Sequence, residues 1–420
     1  MLIQKNRNFP SDHFFSRLSN PLFYLSYVAK PQPMKKIFLF LGILFVIYLI
    51  GINTVPQYIE TQRNPVKSPA PYSVAPEAKA LYDRLDFISD LHCDALLWGR
   101  NLNERGERGH VDFPRMREAN VALEMFTIVS KSPAGQNMQS NSEDAFDNIT
   151  PLTIAKGESP WNWFSLINRT LSQSEALARF VENEGEKAIL IKSKSDLEEL
   201  LEARKSNKEV IGAMLGIEGG HALEASLENL EKVYAAGVRM IGPTHFFDNE
   251  FGGSAHGKNG AGLTEFGKSA VRKMNELGIF IDLAHSSPAI VEDVLNLTSK
   301  PVIVSHTGVR AVLDSQRNLS DEQIQKIAAN GGIIGIAFFD MAVGEPELPN
   351  IIASIKHVRD LVGIEYVALG SDYDGSVAVP FDITGLPLIV EGLMKAGFSE
   401  EEIRAVMGEN VKRFFLQNLR

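Results

Sequence analysis

The chain has 420 residues, 44% of them hydrophobic, and a formal net charge of -10. That length suits one large barrel domain of roughly 250 to 400 residues plus an extension, and the acidic balance leaves no basic surface for a nucleic-acid partner. A single cysteine, Cys93, excludes any intramolecular disulfide.

Taken in chain order, residues 1–36 form a basic segment, with Lys5, Arg7, Arg17, Lys30, Lys35 and Lys36 against the single acid Asp12. It reads as a cytoplasmic N-terminus, or as a spurious extension if Met34 is the true start. Residues 37–52 are a run of 16 uncharged, almost wholly apolar residues, either a membrane anchor or the core of a signal peptide. No small-x-small cleavage site follows directly, so an uncleaved anchor is expected. The positive-inside rule then makes this a single-pass membrane protein with an extracytoplasmic catalytic part; cleavage would make it secreted or periplasmic. Residues 53–75, with Pro56, Pro65, Pro69 and Pro71, predict an extended tether. The C-terminal VKRFFLQNLR carries no long apolar tail for a lipid anchor.

From residue 76 onward apolar runs alternate with helical patterns, at 87–94, 121–130, 210–218, 238–246, 279–286, 301–307, 332–339 and 366–372. Eight such strand–helix units predict an α/β fold, a (β/α)8 TIM-type barrel over 76–420. GLTEFGKSAVRKMNELG (262–278) is a scaffold helix, capped by Thr264 and closed by Gly278. An insertion is expected at about 131–209, the polar KSPAGQNMQSNSEDAFDN and then the helical-looking LINRTLSQSEALARFVENEG, forming a lid or specificity loop in which Trp161 and Trp163 are a hydrophobic plug or a substrate wall.

Six of these runs end on histidine or acid: FISDLHCD (His92, Asp94), AMLGIEGG (Glu218), RMIGPTHF (His245), IFIDLAHSS (His285), PVIVSHTG (His306) and VALGSDYDG (Asp372). His92 and Asp94 are two residues apart and so leave a strand on one face, while Cys93 points to the other as a small core residue. Gly216, Gly219 and Gly220 allow a sharp turn around Glu218. Imidazole and carboxylate ligands without thiolate suit zinc or a similar divalent ion. Five of them exceed the needs of one open tetrahedral site, which points to two metals sharing a carboxylate in a hydrolase.

HCD, IEGGHAL, THFFDN, GLTEFGK, DLAHSS, SHTGVRAV, QRNLSD and GSDYDG stand in the order, and at roughly the spacing, of the membrane dipeptidase (renal dipeptidase-like) family of zinc metallopeptidases, which the chain resembles over approximately residues 80 to 415. The resemblance implies two Zn2+ ions, the first held by His92 and Asp94, the second by His285 and His306, with Glu218 bridging. It further implies that Asp372 handles the proton of the bridging water, His245 contacts the substrate carbonyl, and Arg317 receives the substrate carboxylate. The implied activity is hydrolysis of dipeptides by a metal-bridging hydroxide, with tolerance of a D-residue at the C-terminal position. Cys93, where the family often has asparagine, and the long insertion are departures that bear on specificity.

Blander readings stand beside these. His245 alone could be a satisfied polar residue, Glu218 a capping carboxylate, Asp372 a turn residue, and Arg317 the partner of Asp314 or Asp321. His110, His221, His256 and His357 read as structural or exposed, with His221 near enough to Glu218 to support it. Asp282 reads as a core hydrogen-bonding carboxylate. The alternatives to a dipeptidase are a related barrel amidohydrolase acting on another small amide, lactam or ester, and a non-catalytic membrane-tethered binding protein. A homodimer is left open.

Overall fold

The computed structural model describes residues 34–420, so most of the basic segment expected over 1–36 lies outside the described residues. The chain divides into two compact units, Met1–Leu49 and Ile50–Arg420. The described part of the first is helical, the beginning of α1 (Met34–Arg63), and Phe38, Leu39, Phe40 and Phe45 on it are exposed. The side chains of Leu44, Ile47 and Ile50 lie outside the described set. Among the described residues no helix is long and apolar enough to cross a membrane.

In the second unit the strands are β1 (Ile88–Cys93), β2 (Val121–Val129), β3 (Ala188–Leu190), β4 (Ile211–Glu218), β5 (Val238–Ile241), β6 (Phe280–Ile281), β7 (Ile303–Thr307), β8 (Ile333–Ile336) and β9 (Val367–Leu369). They pair in parallel in the order β6-β5-β4-β2-β1-β9-β8-β7, with β3 beside β4. The two ends of that path meet at the bridge Asp282↔Ile303, where Leu283 N donates to Ile303 O at 2.8 Å. Eight of the nine match the apolar runs, and the arrangement is consistent with a TIM-type barrel. β1, β2 and β4 are buried on both faces, which is why they read as continuous apolar runs rather than alternating ones. Leu91, Met125, Met214, Met240 and Ile303 share a buried cluster with Phe414 and Phe415 of the last helix, Asn410–Asn418.

Two bulges shape the functional end. Between Asp90 and Cys93 β1 advances three residues while β2 advances two, and between Val304 and Thr307 β7 does the same against β8. An extra residue at a strand end re-aims the side chains around it. Those side chains are His92, Ser305 and His306.

Two expectations are revised. Residues 53–63 belong to α1 rather than to an extended tether. After the helix Val66 bridges Val379, and Lys67 N donates to Val379 O at 2.9 Å, so this stretch is docked on the domain. The expected lid or specificity loop also does not extend over the whole insertion. Its second half is scaffold, the helices Leu166–Glu184 and Lys194–Ser206 with β3 between them. The first half is pinned by the buried Arg169, which donates to Ser130 O (2.7 Å), Asn162 O (2.7 Å), Asp147 Oδ2 (2.6 Å) and Thr150 Oγ1 (2.6 Å). Trp161 is 80% exposed and therefore no plug, while Trp163 is half-buried and donates its indole N–H to Glu158 O.

Candidate metal centre

Glu218, the last residue of β4, is the hub. Its Oε1 lies 3.0 Å from His285 Nε2, 3.3 Å from His306 Nε2 and 3.6 Å from His92 Nε2, and its Oε2 lies 3.2 Å from His245 Nε2. His92 Nε2 is also 3.6 Å from Asp94 Oδ1 and 3.8 Å from Asp372 Oδ1. Seven residues from six strand ends thus converge, all of them buried. The turn that follows Glu218 needs glycine: Gly219 has φ +98°, and a Cβ there would lie 2.3 Å from the His221 ring. His285 and Asp372 hold left-handed φ of 61° and 64° without being glycine, backbone strain of the kind that persists where function over-determines it.

The donor set fits divalent cations, and the fit rests on hydrogen-bond counting. Asp282 accepts from Ser305 N (2.8 Å), Ala284 N (3.0 Å) and the Ser305 hydroxyl (2.6 Å). A hydroxyl has one proton, so Ser305 Oγ can only accept from His92 Nδ1 at 3.0 Å and His306 Nδ1 at 2.8 Å. Both rings therefore carry a proton on Nδ1 and turn Nε2 inward, an assignment made from the network. Inside, His92 Nε2 has no hydrogen-bond partner, and the Nε2 atoms of His285 and His306 stand 3.0 Å apart. The inward Nε2 lone pairs of His92 and His306 and three buried carboxylates are what a cation would reconcile. The groups whose ligand atoms cluster are His92–Glu218–His306, Glu218–His245–His285 and His92–Asp94–Asp372. Every expected ligand belongs to at least one of them, although the partition differs from the expected two sets.

Electrostatics carries the same signature. Burial, reinforced by Asp94 and Asp372, holds the Glu218 carboxyl well above its usual range. Burial, aided by Asp94, pushes Asp372 up to about 8 against the pull of His92 and Arg317. Burial would lower His92, but Glu218, Asp94 and Asp372 raise it to about 10, so a proton and a cation compete for the place beside its Nε2. His245, His285 and His306 are driven well down, first by burial and then by neighbouring imidazoles and Arg317, so they stay neutral. Thr127 Oγ donates to Asp94 Oδ1 at 2.6 Å and fixes that carboxylate.

Arg317 sits at the edge of this group. Its Nη2 donates to His306 O at 2.6 Å and its Nε has no partner. Asp321 pairs with His357 instead. Among the described residues no ion pair joins Arg317 to Asp314. His110 and His256 are buried and structural, as expected, His256 with its Nδ1 3.1 Å from Met138 O. His221 does not support Glu218: neither of its ring nitrogens has a partner, and the ring packs 4.8 Å from Phe247. Asp282 is the core carboxylate expected of it. Ser305 was missed because strand alternation turns the residue before a ligand histidine to the opposite face, and only the bulge in β7 brings both inward.

A family model described as membrane dipeptidase (peptidase family M19) matches residues 76–418. Dipeptidase 3 of Mus musculus is 33% identical over 225 residues, covering 50% of this chain and 45% of the mouse protein. Dipeptidase 3 of Homo sapiens is 33% identical over 239 residues, covering 54% and 49%. The chain thus spans about half the length of the curated relatives it matches. Among solved structures, a metallopeptidase from Rhodobacter sphaeroides, liganded with a phosphinate mimic of the dipeptide L-Ala-D-Ala, superposes with TM-score 0.64 at 24% identity, covering 79% of this chain and 99% of that one. A probable dipeptidase from Pseudomonas aeruginosa gives TM-score 0.66 at 20% identity, with 81% and 96% covered.

Proposed function

The chain belongs to the membrane dipeptidase family of metallopeptidases, peptidase family M19, and from that premise we propose that it is a binuclear zinc dipeptidase on a (β/α)8 barrel. The observation that carries the reading is the convergence of four imidazoles on Glu218 within 3.0–3.6 Å, with Asp94 and Asp372 beside them. His92 and Asp94 would hold one ion, His285 and His306 the other, and Glu218 both. Bound there, the ions supply Lewis acidity and a water acidified toward neutrality.

The protein's own groups do the rest. Asp372, with its affinity for a proton raised by burial, takes the proton of the attacking water and passes it to the leaving amine. His245, kept neutral by burial, would donate its ring N–H to the substrate carbonyl oxygen. Arg317 receives the substrate's terminal carboxylate. The L-Ala-D-Ala mimic held by the Rhodobacter metallopeptidase supports tolerance of a D-residue at the C-terminal position.

A second reading, an amidohydrolase acting on another small amide, lactam or ester, would leave Arg317 without a task. Elemental analysis together with a screen of dipeptides and their amides tests both. The expected result is about two divalent ions per chain, following the donor count, with hydrolysis confined to substrates bearing a free carboxylate. A single tightly bound ion with no activating second one would overturn the binuclear centre, and equal turnover of dipeptide amides would favour the amidohydrolase.

We further propose that residues 37–52 anchor the chain in a membrane with the catalytic unit outside the cytoplasm. The basic residues ahead of the apolar run support this orientation. Protease accessibility of the catalytic unit in intact cells or spheroplasts checks it, and protection equal to that of a cytoplasmic marker would refute it.

A further inference from the structure

The end of α1 lies outside residues 76–418, which the family model matches, yet it is built into the loop that carries Asp372. In that loop Asp372, Asp374 and Ser376 have φ of 64°, 63° and 64°. None is glycine, and left-handed backbone is unfavourable for a residue with a Cβ unless its surroundings hold it there. The surroundings are specific. Asp374 Oδ1 accepts from His110 N at 2.7 Å, its Oδ2 accepts from Val111 N at 3.2 Å and pairs with Arg100, and its carbonyl accepts from Trp98 Nε1 at 2.7 Å.

The N-terminal segment completes this cradle. Ser376 N donates to Asn64 Oδ1 at 2.8 Å. Asp374 N donates to His110 Nδ1 at 2.9 Å, so that ring's proton sits on Nε2 and goes to Asn64 O at 3.1 Å. Burial holds His110 down at about 4, which keeps the ring neutral and in that tautomer. Glu60, fully buried, pairs with Arg100 and, at 2.5 Å, with Arg108. Without Glu60, Arg100 would keep Asp374 as its one carboxylate partner and Arg108 would lose its ion-pair partner. Asn64 thus touches the loop directly and through His110, and Glu60 reaches it through Arg100.

We propose that residues 60–66 are a brace for the proton-transfer loop, with Asn64 and Glu60 as positioning residues that hold Asp374 and Ser376 left-handed and so set the carboxyl of Asp372. The brace rests on the reading of Asp372 given above. It makes the segment next to the apolar helix part of the catalytic apparatus, not a spacer.

The test uses the full chain with Asn64→Leu, Glu60→Gln and the conservative Asn64→Asp, which keeps an acceptor oxygen for Ser376 N. Amide hydrogen exchange reads the loop, and steady-state turnover of L-Ala-D-Ala reads the reaction. For Asn64→Leu, exchange over 371–376 should quicken by about tenfold or more while β7 stays protected, and kcat should fall about tenfold with KM nearly unchanged. Glu60→Gln should act in the same direction, and Asn64→Asp should restore both readouts. Unaltered exchange over 371–376, a loop that loosens with kcat intact, or exchange that quickens throughout the domain each overturns the brace. If the unmodified chain hydrolyses no dipeptide, the dipeptidase reading falls, while the exchange arm still decides whether residues 60–66 hold the loop.

Discussion

At the end of the strand layer where β1, β4 and β7 run into loops, the buried side chains are carboxylates and imidazoles, several of their atoms lack partners, and two site residues hold left-handed backbone. At the other end Phe280, Phe414 and Phe415 meet with ring centroids 5.3–5.5 Å apart in a wholly apolar cluster. Desolvated polar atoms and strained dihedrals each oppose folding, whereas every buried aromatic ring favours it. One end therefore offsets the cost of the other, the separation expected of a parallel barrel whose chemistry sits at the C-terminal strand ends.

The sharpest way to break that contrast is to change one side chain at each end. Asp372→Asn should lower kcat by about two to four orders of magnitude, because the amide cannot take the water's proton, while metal content by elemental analysis stays the same. Stability should move the other way in metal-stripped protein. The folded pKa of Asp372 is raised to about 8, so between the ordinary carboxylate range and pH 8 the folded state binds more protons than the unfolded one and loses stability as pH rises. The asparagine variant escapes that loss. Urea midpoints of the two proteins should coincide near pH 4 and separate in favour of the variant by pH 8; a constant gap would show that the carboxyl is not perturbed.

At the apolar end Phe415→Ala should cost about 3–5 kcal/mol in unfolding free energy, with kcat/KM per folded molecule unchanged. A loss of kcat/KM larger than the loss of folded protein would mean that the two ends are not separable. Arg317→Ala should raise KM for free dipeptides by about one to two orders of magnitude, roughly 1.5–3 kcal/mol for a charge-assisted contact, and barely affect dipeptide amides. Equal losses on both substrates would remove Arg317 from the carboxylate site. Ser305→Ala leaves every ligand in place but frees two imidazoles to turn, and competition with a chelator should show metal affinity about tenfold lower. If affinity is unchanged, the shared hydroxyl does not orient the rings.

Much of this was legible in the chain because parallel strands buried on both faces are long apolar runs, and because polar residues at their ends have no other reason to recur. His92, Asp94, Glu218, His245, His285, His306 and Asp372 were all visible in that way. What escaped detection has local causes. β3 is three residues long, too short for any periodicity to register. The prolines at 56, 65, 69 and 71 predict an extended tether, but composition says nothing of Glu60 and Asn64 finding partners 40 or more residues away at Arg100 and His110. Arg169, which organises the loop from Ser130 to Trp163, looks in the sequence like any helical arginine.

Cys93 lies on β1 between two site residues, is fully buried, and has its thiol pushed well above the usual range, first by burial and then by Glu124 and Asp374. Thiol reagents act on the thiolate, so the folded protein presents a silent background on which a cysteine placed at an exposed position such as Trp161 or Phe164 becomes the only target for a fluorophore or spin label. The same residue is a built-in clock for local opening. The rate at which a maleimide captures Cys93 at increasing denaturant would measure how often the strand carrying His92 and Asp94 parts from its neighbours, without any engineered probe.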